Sequence, residues 1–332
     1  MQASSDAADT PNRATDIALP GYLVVPMGGA GKASALSMIA QHRAAGGPFA
    51  MRTVAIDTDP QGLEAFDRAI NLATTREAVS AIRSNPRCFG PACRALVRHY
   101  PYLLDPETLG RGARTHRLLT QAAFEIHEDA VINGFRTSIH DLLKQQHAGI
   151  IQPVLLCSLG GGTGSAAALL VPHLLATSRY RDRILLGLSP DILAKPVIFA
   201  VDPYAHALQQ TNEIAPDWIL GNIYATRTEL AEYEKAGKGC MYTIHLGLGN
   251  NAGAVFSAID MVCEANGLLA WEWMANYTLF RSRTTDTLDF TRETCRYQGD
   301  DIPESRIPKQ ERPPYAADRP DIESGAPSCV SC

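Results

Sequence analysis

Apolar residues along the chain come in short continuous runs, separated by stretches where they recur at three and four residues, which predicts strands alternating with helices. Residues 22–26 (Tyr-Leu-Val-Val-Pro) form a first strand-like run. A glycine-rich turn follows, and then a segment over 33–45 with Leu36, Ile39 and Ala40 on one helical face. A second apolar strand over 53–56 ends in Asp57-Thr58-Asp59-Pro60. After an irregular region, 122–144 predicts a single helix marked by Phe124, Val131, Phe135 and Leu142. Residues 153–159 predict a buried strand and 166–176 the helix after it. Further strands are expected at 184–188, 196–201 and 241–246, and a long, largely apolar helix at about 254–277. Strands that are apolar on both faces and alternate with helices predict an α/β fold built on a doubly wound parallel sheet, followed here by a long core helix. Ligands of such sheets bind outside the carboxyl ends of the strands.

The pattern stops at both ends. Residues 1–20 are polar, and from 298 onward Pro303, Pro308, Pro313, Pro314, Pro320 and Pro327 stand among charges with few aliphatic residues. Such stretches bury too little apolar surface to offset the entropy of ordering them. The expected organisation is a disordered lead-in over 1–20, a folded body over 21–297 and a disordered Pro-rich tail over 298–332.

Composition narrows the classes. With 332 residues, 45% of them apolar, the chain can build one large core or two modest ones. A formal charge of −5 supplies no overall basic field, which argues against nucleic acid as the partner. The first twenty residues lack the basic start and apolar stretch of a secretory signal. Apolar runs such as 154–159 are too short to span a bilayer core of about 30 Å, so no membrane span is expected and the protein is placed in the cytoplasm. Eight cysteines in a chain of this size do not read as a disulfide framework, and Cys157, Cys240 and Cys263 sit singly in apolar segments as core residues. Cys329-x-x-Cys332 is half of a zinc motif with no second half, so no metal held by protein ligands alone is expected. The last four residues look like a prenylation box, but cysteine is an unusual final residue for one.

Four loops carry candidate chemistry. In Met27-Gly28-Gly29-Ala30-Gly31-Lys32, glycines let backbone approach an anion and the amides opening the next helix can point at phosphate; a plain tight turn is the competing reading. In Asp57-Thr58-Asp59-Pro60-Gln61, two carboxylates at a strand end can hold water on a metal or touch a ribose, or form an ordinary Asp/Pro turn. Gly110-Arg111-Gly112-Ala113-Arg114 sets two cations before a helix, as a phosphate contact or a solvated basic turn. Gly160-Gly161-Gly162-Thr163-Gly164-Ser165 has the strongest pattern: consecutive glycines after a buried strand permit a nest of amides, with Thr163 and Ser165 as hydroxyl donors at the positive end of the next helix.

That last loop resembles the signature of the tubulin/FtsZ family, Gly-Gly-Gly-Thr-Gly-Ser/Thr, with Ala166 where the family usually has a further glycine. The segment 25–33 is similar to the family's first glycine-rich loop, Asp57-Thr58-Asp59-Pro60-Gln61-Gly62-Leu63 to its Asn-Thr-Asp-x-Gln-x-Leu, and Gly110 to Ala113 to its Gly-x-Gly-Ala. The resemblance, over about 20–295, implies a Rossmann-like domain over 21–297 that binds GTP or GDP with Mg²⁺. The nucleotide would be held by Gly28, Gly29, Ala30, Gly31, Lys32, Asp57, Asp59, Gly112, Ala113 and the loop Gly160 to Ser165. It also implies a base pocket of Asn250, Asn251, Phe256 and Asp260, the aromatic packing on guanine and the carboxylate accepting from its N–H groups; four residues bring both side chains to one helical face. Asp289 in Thr287-Leu288-Asp289-Phe290-Thr291-Arg292 resembles an acid of the loop that completes hydrolysis on the next subunit, which would make the chain a GTPase acting as an oligomer or filament. Thr287 and Arg292 depart from that loop, residues 71–109 exceed the family's length, and a Pro-rich tail stands where the family continues with a second domain.

Two other readings stay open. Gly28-Gly29-Ala30-Gly31-Lys32 with Ile56-Asp57-Thr58-Asp59-Pro60-Gln61 is similar to the ParA-type ATPases, although Ala33 lacks the hydroxyl that a P-loop uses on Mg²⁺. The third is a GTP-binding regulatory module without turnover.

Overall fold

The computed structural model describes residues 20–104, 112–113, 115–145, 149–202, 216–236, 242–246 and 259–276. Its centre is a six-stranded sheet of β1 (Gly21–Pro26), β2 (Met51–Asp57), β3 (Arg68–Asn71), β4 (Ile151–Ser158), β5 (Val197–Val201) and β6 (Tyr242–Leu246). All pairs are parallel and the order is β3-β2-β1-β4-β5-β6. The order reverses direction between β1 and β4, which makes their carboxyl ends the topological switch point where such sheets bind ligands.

Alternate side chains of a strand point to opposite faces, and here both faces are covered. On one, Tyr22, Val24, Ala55, Val154, Leu156 and Phe199 pack against helix α1 (Gly28–Ala44) and the last helix described below. On the other, Leu23, Val25, Ile56, Leu155 and Ile198 meet apolar residues of the remaining helices. The strands are therefore continuously apolar, as their sequence predicts. A smaller third core, with Val79, Ile82, Cys93, Leu96 and Leu119, joins α2 (Arg76–Ser84), α3 (Pro91–His99) and α4 (Arg117–Ile126). The stretch read as irregular is thus a helical lobe preceded by an edge strand. Glu125 anchors it by accepting from the amides of Ala92 and Cys93, at 2.9 and 3.0 Å, in the first turn of α3, where a carboxylate is favoured.

Two predicted elements need correction. The single helix over 122–144 is two, α4 and α5 (Glu128–Gln145), with His127 as the C-cap between them. The run 184–188 is not a strand. Ile184 and Leu185 are the buried last turn of α7 (Ser178–Leu185), which follows α6 (Gly162–Ala176). Leu186, at φ 48°, and Gly187, at φ 87°, end it in the left-handed region, a common helix terminator. Arg183 secures that helix on α5 through Glu128 and Asp129, at 2.5 and 2.6 Å. The helix α8 (Pro216–Lys235) was not anticipated from the sequence.

The long core helix is described as α9 (Ile259–Ala275), packed on α1 so closely that a Cβ on Gly267 would lie 2.1 Å from the Ser34 carbonyl oxygen. Tyr22 of β1 donates to the carbonyl of Met274 at its far end, at 2.9 Å. All described residues fall in one unit spanning 1–295; the tail beyond it and residues 1–19 lie outside the described residues. Among the described residues no helix is long and apolar enough to cross a membrane.

Candidate functional site

Helices α1 and α6 begin four to five residues earlier than the sequence pattern predicts, because the glycines themselves form their first turns. The first amides of a helix have no intrahelical acceptor. Neither helix start has a side-chain cap or an acidic residue in its first turn. These amides are thus open to an anion, and the partial positive charge of each helix end adds to the attraction. Because β1 and β4 are neighbours, the two helix starts flank one cleft of about 290 Å³ at the switch point.

Most of the residues expected to hold the nucleotide outside its base pocket line this cleft. Gly28, Gly29, Ala30 and Lys32 come from the start of α1, and Gly161, Gly162, Thr163 and Gly164 from the start of α6. Asp57 and Asp59 stand at the end of β2, and Gly112 and Ala113 just before α4. Three others do not line it. The Gly31 backbone is pressed against β4, the Gly160 carbonyl accepts from Asn222, and Ser165 is buried, its hydroxyl donating to the Gly161 carbonyl. These three build the cleft from behind. At Gly164 a Cβ would lie 2.8 and 3.0 Å from the carbonyl oxygen and amide of Ser158 and 3.1 Å from the Met27 carbonyl oxygen, so only glycine lets the helix start sit this deep between the strand ends.

The single lysine among the described lining residues is already engaged. Lys32 Nζ lies 2.8 Å from Asp57 Oδ2, with both side chains largely buried, and also donates to the carbonyls of Gln61 and Asp59. Asp57 uses its other oxygen to accept from the Asp59 amide at 3.2 Å. Lys32 thus ties the first loop to the acidic loop. A P-loop lysine instead reaches toward β- and γ-phosphates. Ala33 is turned toward Val201, Val262 and Cys263, so the ParA-like pattern is not accompanied by ParA-like use of these two positions. Asp59 accepts from the Gln61 amide at 3.0 Å through Oδ1 and lines the cleft. Lys32, Asp57 and Asp59 together leave the described lining with one negative charge.

Sequence reasoning missed three contributors. Thr58 Oγ1, almost wholly buried, accepts from the Ala113 amide at 2.7 Å and lies 2.8 Å from Thr163 Oγ1. Ser158 at the end of β4 lines the cleft and caps the Gly160 amide at 3.3 Å. Asn222 of α8 is buried and donates to the carbonyls of Thr115, at 2.8 Å, and Gly160, at 3.0 Å. In the sequence Thr58 is marked only by its place in the Asp57-Thr58-Asp59 motif, without a role of its own, and nothing local marks Asn222. Asn222→Ala is expected to cost about 1–2 kcal/mol of stability, since it leaves two carbonyls with one partner fewer in a buried place. Urea denaturation checks it, and an unchanged midpoint would show that the clasp is dispensable.

The predicted base end is only partly visible. Asp260 is exposed in the first turn of α9 and is not among the described residues that line the cleft. Asn250, Asn251 and Phe256 lie outside the described residues, as do Asp289, Arg111 and Arg114. Cys157 and Cys263 are buried, as expected of core residues, while Cys240, Cys329 and Cys332 lie outside the described residues. Burial, and then the charge of Asp260, push the Cys263 thiol up to about 11. It is held as a neutral thiol. No group of three metal-ligating side chains occurs among the described residues.

No family model matches the chain, and no curated protein matches it by sequence. Solved structures similar to it include a GTPγS-bound protofilament of CetZ2 from Haloferax volcanii, 15% identical with a TM-score of 0.45. That likeness covers 82% of this chain and 62% of CetZ2. The FtsZ dimer of M. jannaschii is 18% identical, with a TM-score of 0.39 over 77% of this chain and 52% of that one. TubZ of Clostridium botulinum phage c-st is 12% identical, with a TM-score of 0.42 over 76% and 58%. The chain thus spans between half and two thirds of the length of these CetZ, FtsZ and TubZ proteins, which are the structures that it is similar to.

Proposed function

We propose that this chain binds a guanine nucleotide, with the phosphates in the cleft at the switch point between β1 and β4. The observation that carries the reading is the meeting of two uncapped helix starts, both built from glycines, at one cleft. Two glycine-built helix starts more than a hundred residues apart gain nothing in packing from being left uncapped together. An anion with several oxygens uses them all. The guanine preference rests on the resemblance of residues 250–260 to the tubulin/FtsZ family.

Mg²⁺ fits as the companion of the phosphates. The described lining is slightly acidic, so a polyphosphate entering it gains from a divalent counterion. Asp57 is occupied by Lys32, which leaves Asp59 as the carboxylate able to hold a water of such an ion. Mg²⁺ bound by one carboxylate, waters and phosphate oxygens is the usual arrangement at nucleotide sites. Turnover is proposed to be completed between copies of the chain, with Asp289 supplied from a neighbouring subunit. A module that holds GTP without hydrolysing it is the second reading, favoured by Arg292 in place of an acid.

Purified protein is expected to bind GTP at least about tenfold more tightly than ATP, a difference of about 1.4 kcal/mol. Competition titration against a fluorescent guanine nucleotide measures it. A preference for ATP would remove the guanine assignment and restore the ParA-like reading. Phosphate release that rises more than linearly with protein concentration is the expected sign of catalysis between subunits; tight binding without release selects the non-catalytic module.

A further inference from the structure

The hydroxyls of Thr58 and Thr163 meet at the wall of the cleft, and their protons can be assigned. The Ala113 amide can only donate, and it does so to Thr58 Oγ1 at 2.7 Å. Thr58 Oγ1 is 2.8 Å from Thr163 Oγ1, and Thr58 is 4% exposed. Among the described residues the Thr58 hydroxyl has no other acceptor, and although Thr58 lines the cleft it is only 4% exposed, so a proton not given to Thr163 would be poorly solvated there, which is costly. Thr58 therefore donates to Thr163. The proton of Thr163 is then turned away from Thr58, and Thr163 lines the cleft.

We propose that Thr58 is a positioning residue that makes Thr163 a hydrogen-bond donor toward the cleft, through a one-way chain from the Ala113 amide to Thr58 Oγ1 to Thr163 Oγ1. The proposal rests on the reading of the cleft as a phosphate site. A threonine hydroxyl left to itself accepts as readily as it donates. Locked as a donor, it favours a group with acceptor oxygens only, such as a fully ionised phosphate, over an amine or a protonated group. Successive donations polarise each other in the same sense. The chain also couples three loops, those after β2, before α4 and at the start of α6, so that a shift in any one weakens the donor.

The test is GTP titration in the presence of Mg²⁺ on the full chain, with thermal denaturation of each variant. Thr163→Val and Thr58→Val are each expected to weaken GTP by about tenfold, the scale of one hydrogen bond to a charged group. Thr58→Ala, which adds no bulk, carries the same expectation should the valine variant not fold. Thr58→Ser keeps the hydroxyl and is expected to bind within about twofold of wild type, a rescue that lost packing alone would not produce. In the Thr58→Val/Thr163→Val double variant the loss is expected to equal that of Thr163→Val, since the two act through one proton. Full affinity in Thr58→Val, or losses that multiply in the double variant, would overturn the relay while leaving the phosphate reading intact. Wild-type protein that binds neither GTP nor inorganic tripolyphosphate would overturn both.

Discussion

Gly164→Ala is expected to lower GTP affinity by at least about a hundredfold, the scale of several charge-assisted hydrogen bonds misplaced at once. The added methyl group would meet the carbonyl oxygen and amide of Ser158 and the Met27 carbonyl at 2.8, 3.0 and 3.1 Å. All three are backbone atoms at strand ends, so the start of α6 must move, and the amides around Gly162 and the Thr163 hydroxyl move with it. Stability is expected to fall by only about 1–3 kcal/mol, the range for overpacking a close contact. Binding is thus lost from a protein that still folds. Gly149→Ala is the control, because a Cβ there meets nothing within 4 Å and the residue does not line the cleft. Nucleotide titration beside circular dichroism measures both effects, and wild-type affinity in Gly164→Ala would show that the phosphates lie elsewhere.

The second large effect is on the fold. Gly31→Ala places a methyl group 2.3 Å from the Leu156 carbonyl oxygen and 3.1 Å from its carbonyl carbon, in the middle of β4. Neither the central strand nor α1, held against α9 on its other side, can give way cheaply. A loss of about 3 kcal/mol or more is expected, at the upper end of overpacking costs. In a body of this size that lowers Tm by roughly 6–12 °C. Gly29→Ala, two residues earlier in the same helix, meets nothing within 4 Å and is expected to stay within about 0.5 kcal/mol of wild type. Equal Tm values for the two variants would mean that helix propensity, and not close approach to β4, decides the cost.

Beyond these effects, the cleft's charge balance gives the site its character. A phosphate site can be built on cations or on amides, and here the lysine nearest the cleft is bound by Asp57. The attraction left for an anion comes from helix ends and hydroxyls, whose strength depends on their being held in place. Several residues behind the cleft serve that end without touching it: Asn222 holds the Gly160 carbonyl, and Ser165 holds that of Gly161.

Periodicity in the sequence suffices for the α/β class, for five of the six strands and for the glycine turns, because each rests on residues within a few positions of one another. Residues 153–159 are apolar throughout, and a strand buried on both faces follows directly. The same reasoning failed at 184–188, where Ile184 and Leu185 are buried as the last turn of a helix. A short apolar run reports that side chains are buried, but not which backbone buries them. It failed too at Arg68–Asn71, an edge strand whose burial is confined to Ile70 and whose apolar signal is correspondingly weak.

What lay beyond any local pattern is the meeting of distant loops. The glycines after β1 and those after β4 are separated by more than a hundred residues and become neighbours only through the strand order β3-β2-β1-β4-β5-β6. Lys32 looks from sequence like a phosphate grip; parallel pairing of β1 with β2 sets Asp57 beside it and gives its charge another partner. Thr58 and Asn222 are ordinary polar residues until the sheet closes over them. Local chemistry thus determined which segments could hold an anion, and the non-local order of the strands decided which of their amides and hydroxyls remained free to do so.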